Sequence, residues 1–184
     1  RQAVCLERFD SRHAELPAEH RSLIQLRCGD GPDALYDNDA VQTVTIAGLG
    51  ERTIVEWSNR LPSSVQRIIA CPSDMRGTIR PDMRAAGYRI VDEGMAFARG
   101  RYYPTIAWQR GQESRPEDFR FLVGPVLYEK HTQALSHWLS CRLMKLSGAI
   151  ERLEKTGHPT DASGRAFQRW TEALQTAYIR IRDT

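Results

Sequence analysis

Apolar and polar positions along this chain fall into blocks of two different periods, and the places where the period switches predict its elements. Ala3-Val4-Cys5-Leu6 followed by Glu7 is the pattern of a buried strand with an acid at its exit. Ser11 to His20 reads as a short helix and Ser22 to Leu26 as the next strand. Val41 to Ala47, rich in β-branched residues, predicts a central strand. A helix over Arg52 to Asn59 follows, with Ile54, Val55 and Trp57, then a strand over Gln66 to Ala70 that Cys71-Pro72 closes. Ile79 to Ala86 is helical up to Gly87, and Pro81 is tolerated there because it lies in the first turn. Tyr88 to Ala98 and Tyr102 to Gln109 predict an antiparallel hairpin turned at Ala98-Arg99-Gly100-Arg101.

Residues 111–118 are polar and contain a proline, which suits a linker. Past it the period changes for good. Leu139, Leu143, Leu146, Ile150 and Leu153 recur at spacings of four and three, and Phe167, Trp170, Leu174, Ala177 and Ile181 form a second such seam. Gly157-His158-Pro159-Thr160-Asp161 between them supplies a stop and an N-cap, so the two helices are expected to fold back on each other. The expected architecture is an α/β sheet domain over residues 1–115 and an antiparallel helical hairpin, a coiled coil, over 116–184.

Composition narrows the class. Hydrophobic residues at 41% and charged residues at 27% describe a globular chain that can bury a core. No window approaches a membrane span and no secretory signal is present, so a cytoplasmic protein is expected. Cys5, Cys28, Cys71 and Cys141 are too scattered for a disulfide framework, and the five histidines show no metal-ligand spacing. The net charge is +3. Residues 1–126 hold 17 basic against 17 acidic side chains and residues 127–184 hold 9 against 6, so the excess sits wholly in the helical segment. That fits contact with a polyanion, or a solvated helical face. Arg142, Lys145, Arg152, Lys155, Arg165 and Arg169 are the candidates for phosphate contact.

Two glycine turns carry the candidate chemistry. Gly29-Asp30-Gly31 and Gly48-Leu49-Gly50 each follow an apolar run. In an open α/β sheet the ligand crevice lies outside the carboxyl ends of the strands, where glycine lets backbone approach a ligand closely. An ordinary strand-to-helix turn would also use such glycines, but the pair, with Asp30 and Glu7 alongside, points to a nucleotide-like ligand.

Read in order, these segments resemble the TrmK-type tRNA (adenine-N1)-methyltransferases, a class I S-adenosylmethionine-dependent family with a C-terminal coiled coil. The likeness rests on Arg27-Cys28-Gly29-Asp30-Gly31, Thr45-Ile46-Ala47-Gly48-Leu49-Gly50, Ile79-Arg80 leading to Gly87-Tyr88, and Leu122-Val123-Gly124-Pro125 with Glu129-Lys130. The resemblance implies a Rossmann-like class I methyltransferase sheet. It is expected to be N-terminally incomplete, because the family's first strand, with its Gly-Ser-Asp-His-type loop, finds no counterpart in a chain that starts at Arg1 and reads as a fragment or a trimmed chain.

It also implies roles. Glu7 would accept from ribose hydroxyls and Asp30 from the adenine amino group between Gly29 and Gly31. Ala47, Gly48, Leu49 and Gly50 would line the passage between methyl donor and target base. Pro72 and Ser73 stand where the family has a Pro-Asn step beside that base. The function expected is S-adenosylmethionine-dependent methylation of N1 of an adenine in tRNA, without a metal, by a monomer or homodimer. Two alternatives are a non-catalytic relative that binds RNA or protein through its helices, and a dinucleotide-dependent oxidoreductase. The latter is suggested by Gly48-Leu49-Gly50-Glu51-Arg52-Thr53 but lacks the third glycine.

Overall fold

The computed structural model describes residues 10–130, 132–156 and 162–183, apart from a few helical side chains. It comprises two compact units, Arg1–Ala40 and Val41–Thr184. The predicted strand over Ala3 to Leu6, with Glu7, lies outside the described residues, as does the turn over 157–161.

In the first unit the expected single helix over Ser11 to His20 is two pieces. Residues 10–14 are helical, and a fresh turn spans Ala18–Arg21. Pro17 separates them: it has no N–H to donate and sits instead at the N-cap of the second piece. The expected strand over Ser22 to Leu26 does not form. Leu23 is 82% exposed and Ile24 44%, and β propensity is realised only where a neighbouring strand supplies a ladder.

Arg27 ties residues 34–39 of this unit together. Its guanidinium donates to both carboxylate oxygens of Asp39 and to the Ala34 carbonyl (3.0 Å), and it lies 4.4 Å from the centre of the Tyr36 ring. Asp39 also accepts from the Tyr36 amide at 2.6 Å. The Arg27 hydrogen bond, then the Tyr36 amide, pull the Asp39 carboxyl from an ordinary 3.8 down to about 2. A depressed carboxylate stabilises the fold above its unfolded pKa, and that contribution disappears as pH falls through the folded one. The Tyr36 amide resonance is therefore expected to titrate near pH 2; a midpoint close to 4 in an NMR pH series would show the Arg27 pairing to be absent in solution.

The second unit holds the sheet. Strands β1 (Thr43–Ala47), β2 (Arg67–Cys71), β3 (Tyr88–Ala98) and β4 (Arg101–Arg110) lie in the order β1-β2-β4-β3. β1 and β2 are parallel, joined over helix α1 (Glu51–Arg60), and the β2–β4 and β4–β3 pairs are antiparallel. Ile68 and Ala70 on β2, and Pro104, Ile106 and Trp108 on β4, alternate inward, as a strand's period of two requires. They form the core with Ile54 of α1 and with Ile79 and Met83 of α2 (Ile79–Ala85). The hairpin turns where predicted: Arg99 and Gly100 take φ of 49° and 72°, the left-handed pair that matches the twist of the flanking strands.

Beyond the sheet come α3 (Phe119–Val123), α4 (Pro125–Glu129), α5 (Gln133–Thr156) and α6 (Ala162–Arg182). Asp118 caps α3 by accepting from the Arg120 and Phe121 amides at 2.9 and 3.1 Å. α5 and α6 pack on each other, and α6 packs on α3 as well. Leu135, Leu139, Trp170, Leu174 and Ala177 are buried in these packings. The polar stretch over 111–118 is tied to the sheet: Glu113 accepts from the Ile90 amide at 2.8 Å and Arg115 donates to the Ile90 carbonyl at 3.1 Å.

A buried ion pair joins these layers. Arg80 of α2 and Glu93 of β3 are 1% and 2% exposed, with Arg80 Nε 2.8 Å from Glu93 Oε1. Arg80 also donates to the Leu122 carbonyl (2.8 Å), while Glu93 Oε2 accepts from the Val126 and Leu127 amides at 2.9 and 3.2 Å. Gly124 fits between them because any Cβ there would lie 2.9 Å from the Arg80 guanidinium, and its φ of 136° disfavours a side chain. Lys130 closes the cluster on Asp92 and on the Glu93 carbonyl, both at 2.7 Å.

Candidate functional site

The carboxyl ends of β1 and β2 lie side by side and are stitched together just past the strands. The Gly48 amide donates to the Cys71 carbonyl at 3.0 Å, and the Ser73 amide donates to the Leu49 carbonyl at 2.8 Å. The chain turns out of β1 at Gly48 with φ of 77°, a conformation that L side chains rarely adopt. Among the described residues, no atom beyond its chain neighbours lies within 4 Å of where a Gly48 Cβ would be, so this position has open space beside it. Gly50 is the N-cap of α1, and its own missing Cβ would stand 3.6 Å from Asp74 Oδ1. Ala47, Gly48, Leu49 and Gly50 are thus brought against Pro72 and Ser73, which the sequence separates by more than twenty positions.

From Pro72 and Ser73 a cleft of ≈ 510 Å³ opens between the tip of the β3–β4 hairpin and α5. Phe97, Arg101 and Tyr102 form the hairpin wall, and His137, Arg142 and Lys145 the helical wall. Asp74 on its floor pairs with Arg76 at 2.7 Å. Arg142 is held rather than loose: it donates to the Met75 carbonyl and lies 4.9 Å from the Trp170 ring centre. Burial pulls its pKa down from the ordinary arginine value, yet a guanidinium stays charged at neutral pH. The cleft therefore presents a hydroxyl, aromatic faces and fixed positive charge together.

A second cavity of ≈ 490 Å³ lies on the other side of the Asp74 to Thr78 loop, lined by Gly50, Glu51, Arg76 and Phe167 among others. Glu51 is 4% exposed and accepts from the Thr78 amide and hydroxyl at 3.3 and 3.1 Å. Burial pushes its pKa up, against those hydrogen bonds. Sequence reasoning missed Glu51, as it missed Glu93. Neither position carries a signal in the chain, because glutamate is an exposed residue by default.

Gly29, Asp30 and Gly31 belong to the first unit. A Cβ at Gly29 would sit 2.8 Å from the Ala34 Cβ, so that glycine serves its own turn, while Asp30 is exposed. Arg142 and Lys145 line the cleft. Arg169 pairs with Glu117, Lys155 and Arg165 are exposed, and the Arg152 side chain lies outside the described residues. Among the described residues Cys28, Cys71 and Cys141 are free thiols, no group of three or more potential ligands could hold a metal ion, and no helix is long and apolar enough to cross a membrane.

Residues 14–173 match the family model described as TrmK, tRNA (adenine(22)-N(1))-methyltransferase. Among solved structures, Sp1610 of Streptococcus pneumoniae, a candidate tRNA (m1A22) methyltransferase, superposes with a TM-score of 0.69 at 22% identity, over 88% of this chain and 72% of that one. The B. subtilis m1A22 tRNA methyltransferase TrmK gives 0.67 at 20% identity, over 87% and 74%. The M. capricolum TrmK, solved with S-adenosyl-homocysteine, gives 0.64 at 17%, over 84% and 67%. No curated protein matches. At these identities the superpositions establish the Rossmann-like methyltransferase fold.

Proposed function

With the family match spanning residues 14–173, this chain belongs to the TrmK family of tRNA (adenine(22)-N(1))-methyltransferases, and we propose that it transfers a methyl group from S-adenosylmethionine to N1 of an adenine in tRNA. The observation that carries this reading is the 2.8 Å hydrogen bond from the Ser73 amide to the Leu49 carbonyl. It fixes the turn after β1 against the turn after β2 at the mouth of a cationic, aromatic cleft. S-adenosylmethionine, when bound, supplies an already electrophilic methyl, so the protein's task is placement.

The residues of the second unit suit that task. Gly48 offers backbone with open space beside it, which fits the close approach of a cofactor. Leu49 and Gly50 continue the same rim. Ser73 has its amide anchored and its side chain exposed, so its hydroxyl is available to the Watson–Crick edge of an extruded base. Adenine N1 attacks with its own lone pair, and no base is required to take a proton from it. The attack moves the sulfonium's positive charge onto the methylated ring as the sulfur leaves as a neutral thioether, so the transfer creates no new net charge. On the first unit, the same reading gives the exposed Asp30 carboxylate to an adenine amino group. Arg142 and Lys145, with Lys155, Arg165 and Arg169 along the helices, are the proposed phosphate contacts. The domain division proposed is a methyltransferase-like α/β domain over 1–115 and a helical hairpin arm over 116–184.

The test is methyl incorporation from labelled S-adenosylmethionine into tRNA transcripts, with the modified base identified after digestion. Ser73→Ala is expected to lower kcat/KM about two- to tenfold, the worth of one net hydrogen bond, with cofactor binding unchanged. Ser73→Asn, whose amide both donates and accepts, is expected to match or exceed the parent. Absence of 1-methyladenosine with every transcript, in a protein that binds neither S-adenosylmethionine nor its demethylated product, would end the enzymatic reading.

A further inference from the structure

The tip of the β3–β4 hairpin carries a feature that methyl transfer alone does not account for. Phe97 and Tyr102 are cross-strand partners flanking the Arg99-Gly100 turn, their ring centres 4.8 Å apart and their planes inclined at 46°. Tyr102 is then locked from behind. Its hydroxyl is hydrogen-bonded to His137 Nδ1 at 2.5 Å, and the two rings meet edge to face at 5.5 Å. Phe97 is left 59% exposed at the cleft, with Met144 of α5, 69% exposed, also lining it. Arg101 and Lys145 are exposed on the same cleft.

We propose that Phe97, backed by the Tyr102–His137 pair, is a stacking platform for an unpaired base of the RNA substrate, with Arg101 and Lys145 on the adjoining phosphates. The inference rests on the proposed function for the identity of that RNA. Three observations select a single-stranded nucleotide as the occupant. The aromatic face is rimmed by cations, while Asp74, the acid lining the cleft, is already paired with Arg76, so the charge complements phosphate. The platform is preorganised, since two ring contacts and a hydrogen bond fix Tyr102 before anything binds, which reduces the entropy lost on stacking. The cleft, at ≈ 510 Å³, has the dimensions of a small-ligand site rather than of a duplex groove. A duplex in any case buries the base faces that an aromatic side chain would use.

Fluorescence anisotropy with two probes tests this: a short fluorescein-labelled oligoadenylate and a blunt RNA duplex of the same length. Phe97→Ala is expected to weaken oligoadenylate binding about five- to a hundredfold and duplex binding hardly at all. Phe97→Trp should restore it. Lys145→Ala and Arg101→Ala should each weaken both probes and lower the salt dependence of binding by about one unit of slope. Equal losses on both probes from Phe97→Ala, no loss on either from Phe97→Ala, or failure of the parent protein to bind oligoadenylate would each overturn the platform. Calorimetry with S-adenosylmethionine and the methyl-transfer assay run alongside. Phe97-dependent oligoadenylate binding by a protein that binds no methyl donor would sink the enzymatic reading and leave the platform standing. Methyl transfer with an unchanged KM for RNA in Phe97→Ala would do the reverse.

Discussion

Replacing Glu93 with alanine is expected to destabilise the second unit by roughly 3–5 kcal/mol, the usual penalty for leaving one member of a buried ion pair alone. Arg80 would stay 1% exposed with its carboxylate partner gone. The Val126 and Leu127 amides at the start of α4 would lose their acceptor at the same time. For a chain of this size that corresponds to a fall in Tm on the order of 10 °C. Two companion variants separate the contributions. Glu93→Gln keeps the shape and one acceptor oxygen but removes the charge, so it should lie between parent and alanine. Arg80→Met combined with Glu93→Leu removes both charges, a change that is often nearly neutral when the pair alone is at stake. Here the orphaned Leu122 carbonyl and the two α4 amides should keep the double variant below the parent. Thermal unfolding that leaves Glu93→Ala within 1 °C of the parent would mean the pair does not form in solution.

Gly77→Ala should have an effect of similar size for a different reason, and it should reach the site. The Gly77 backbone has φ of 86°, and a Cβ there would lie 2.1 Å from two ring atoms of Trp170. Trp170 is 1% exposed, so its indole cannot simply swing outward. The left-handed backbone and the overpacking each contribute about 1–3 kcal/mol, giving a destabilisation of roughly 2–6 kcal/mol. Trp170 is also the ring against which Arg142 lies, and Arg142 holds the Met75 carbonyl beside the cleft floor. Relieving the clash should therefore loosen the Pro72 to Met75 loop, raising KM for RNA more than it lowers kcat. A Gly77→Ala protein with parental Tm and parental KM would show that α6 does not pack on this loop as described.

Much of the second unit was legible because its signals are local. Val41 to Ala47 and Gln66 to Ala70 have strand periodicity and β-branched composition, and they form β1 and β2 within two residues of the predicted limits. Ala98-Arg99-Gly100-Arg101 carries its own turn chemistry, and the hairpin forms there. Ser22 to Leu26 has similar apolar content but pairs with no strand among the described residues, and it stays irregular. Propensity proposed that strand, and pairing would have had to make it. The motif residues Ile79-Arg80, Leu122-Val123-Gly124-Pro125 and Glu129-Lys130 are legible in the chain as a set, but their purpose is not. Folded, Arg80 and Gly124 lie against the carboxylate of Glu93, which no pattern singled out, while the Leu122 carbonyl accepts from Arg80 and Lys130 donates to the Glu93 carbonyl.

The order of apolar periods along the chain was enough to determine the strands of the sheet, the glycine exits of β1 and the two long C-terminal helices, because each depends on neighbours a few positions away. Only the tertiary structure could decide which exits meet, that Arg142 faces Trp170 and Met75, that Phe97 stands against Tyr102 on the cleft that Ser73 also lines, and that Glu51 and Glu93 are buried. Those outcomes depend on desolvation and contact between segments tens of residues apart, and burial is a property of the folded surroundings rather than of the residue.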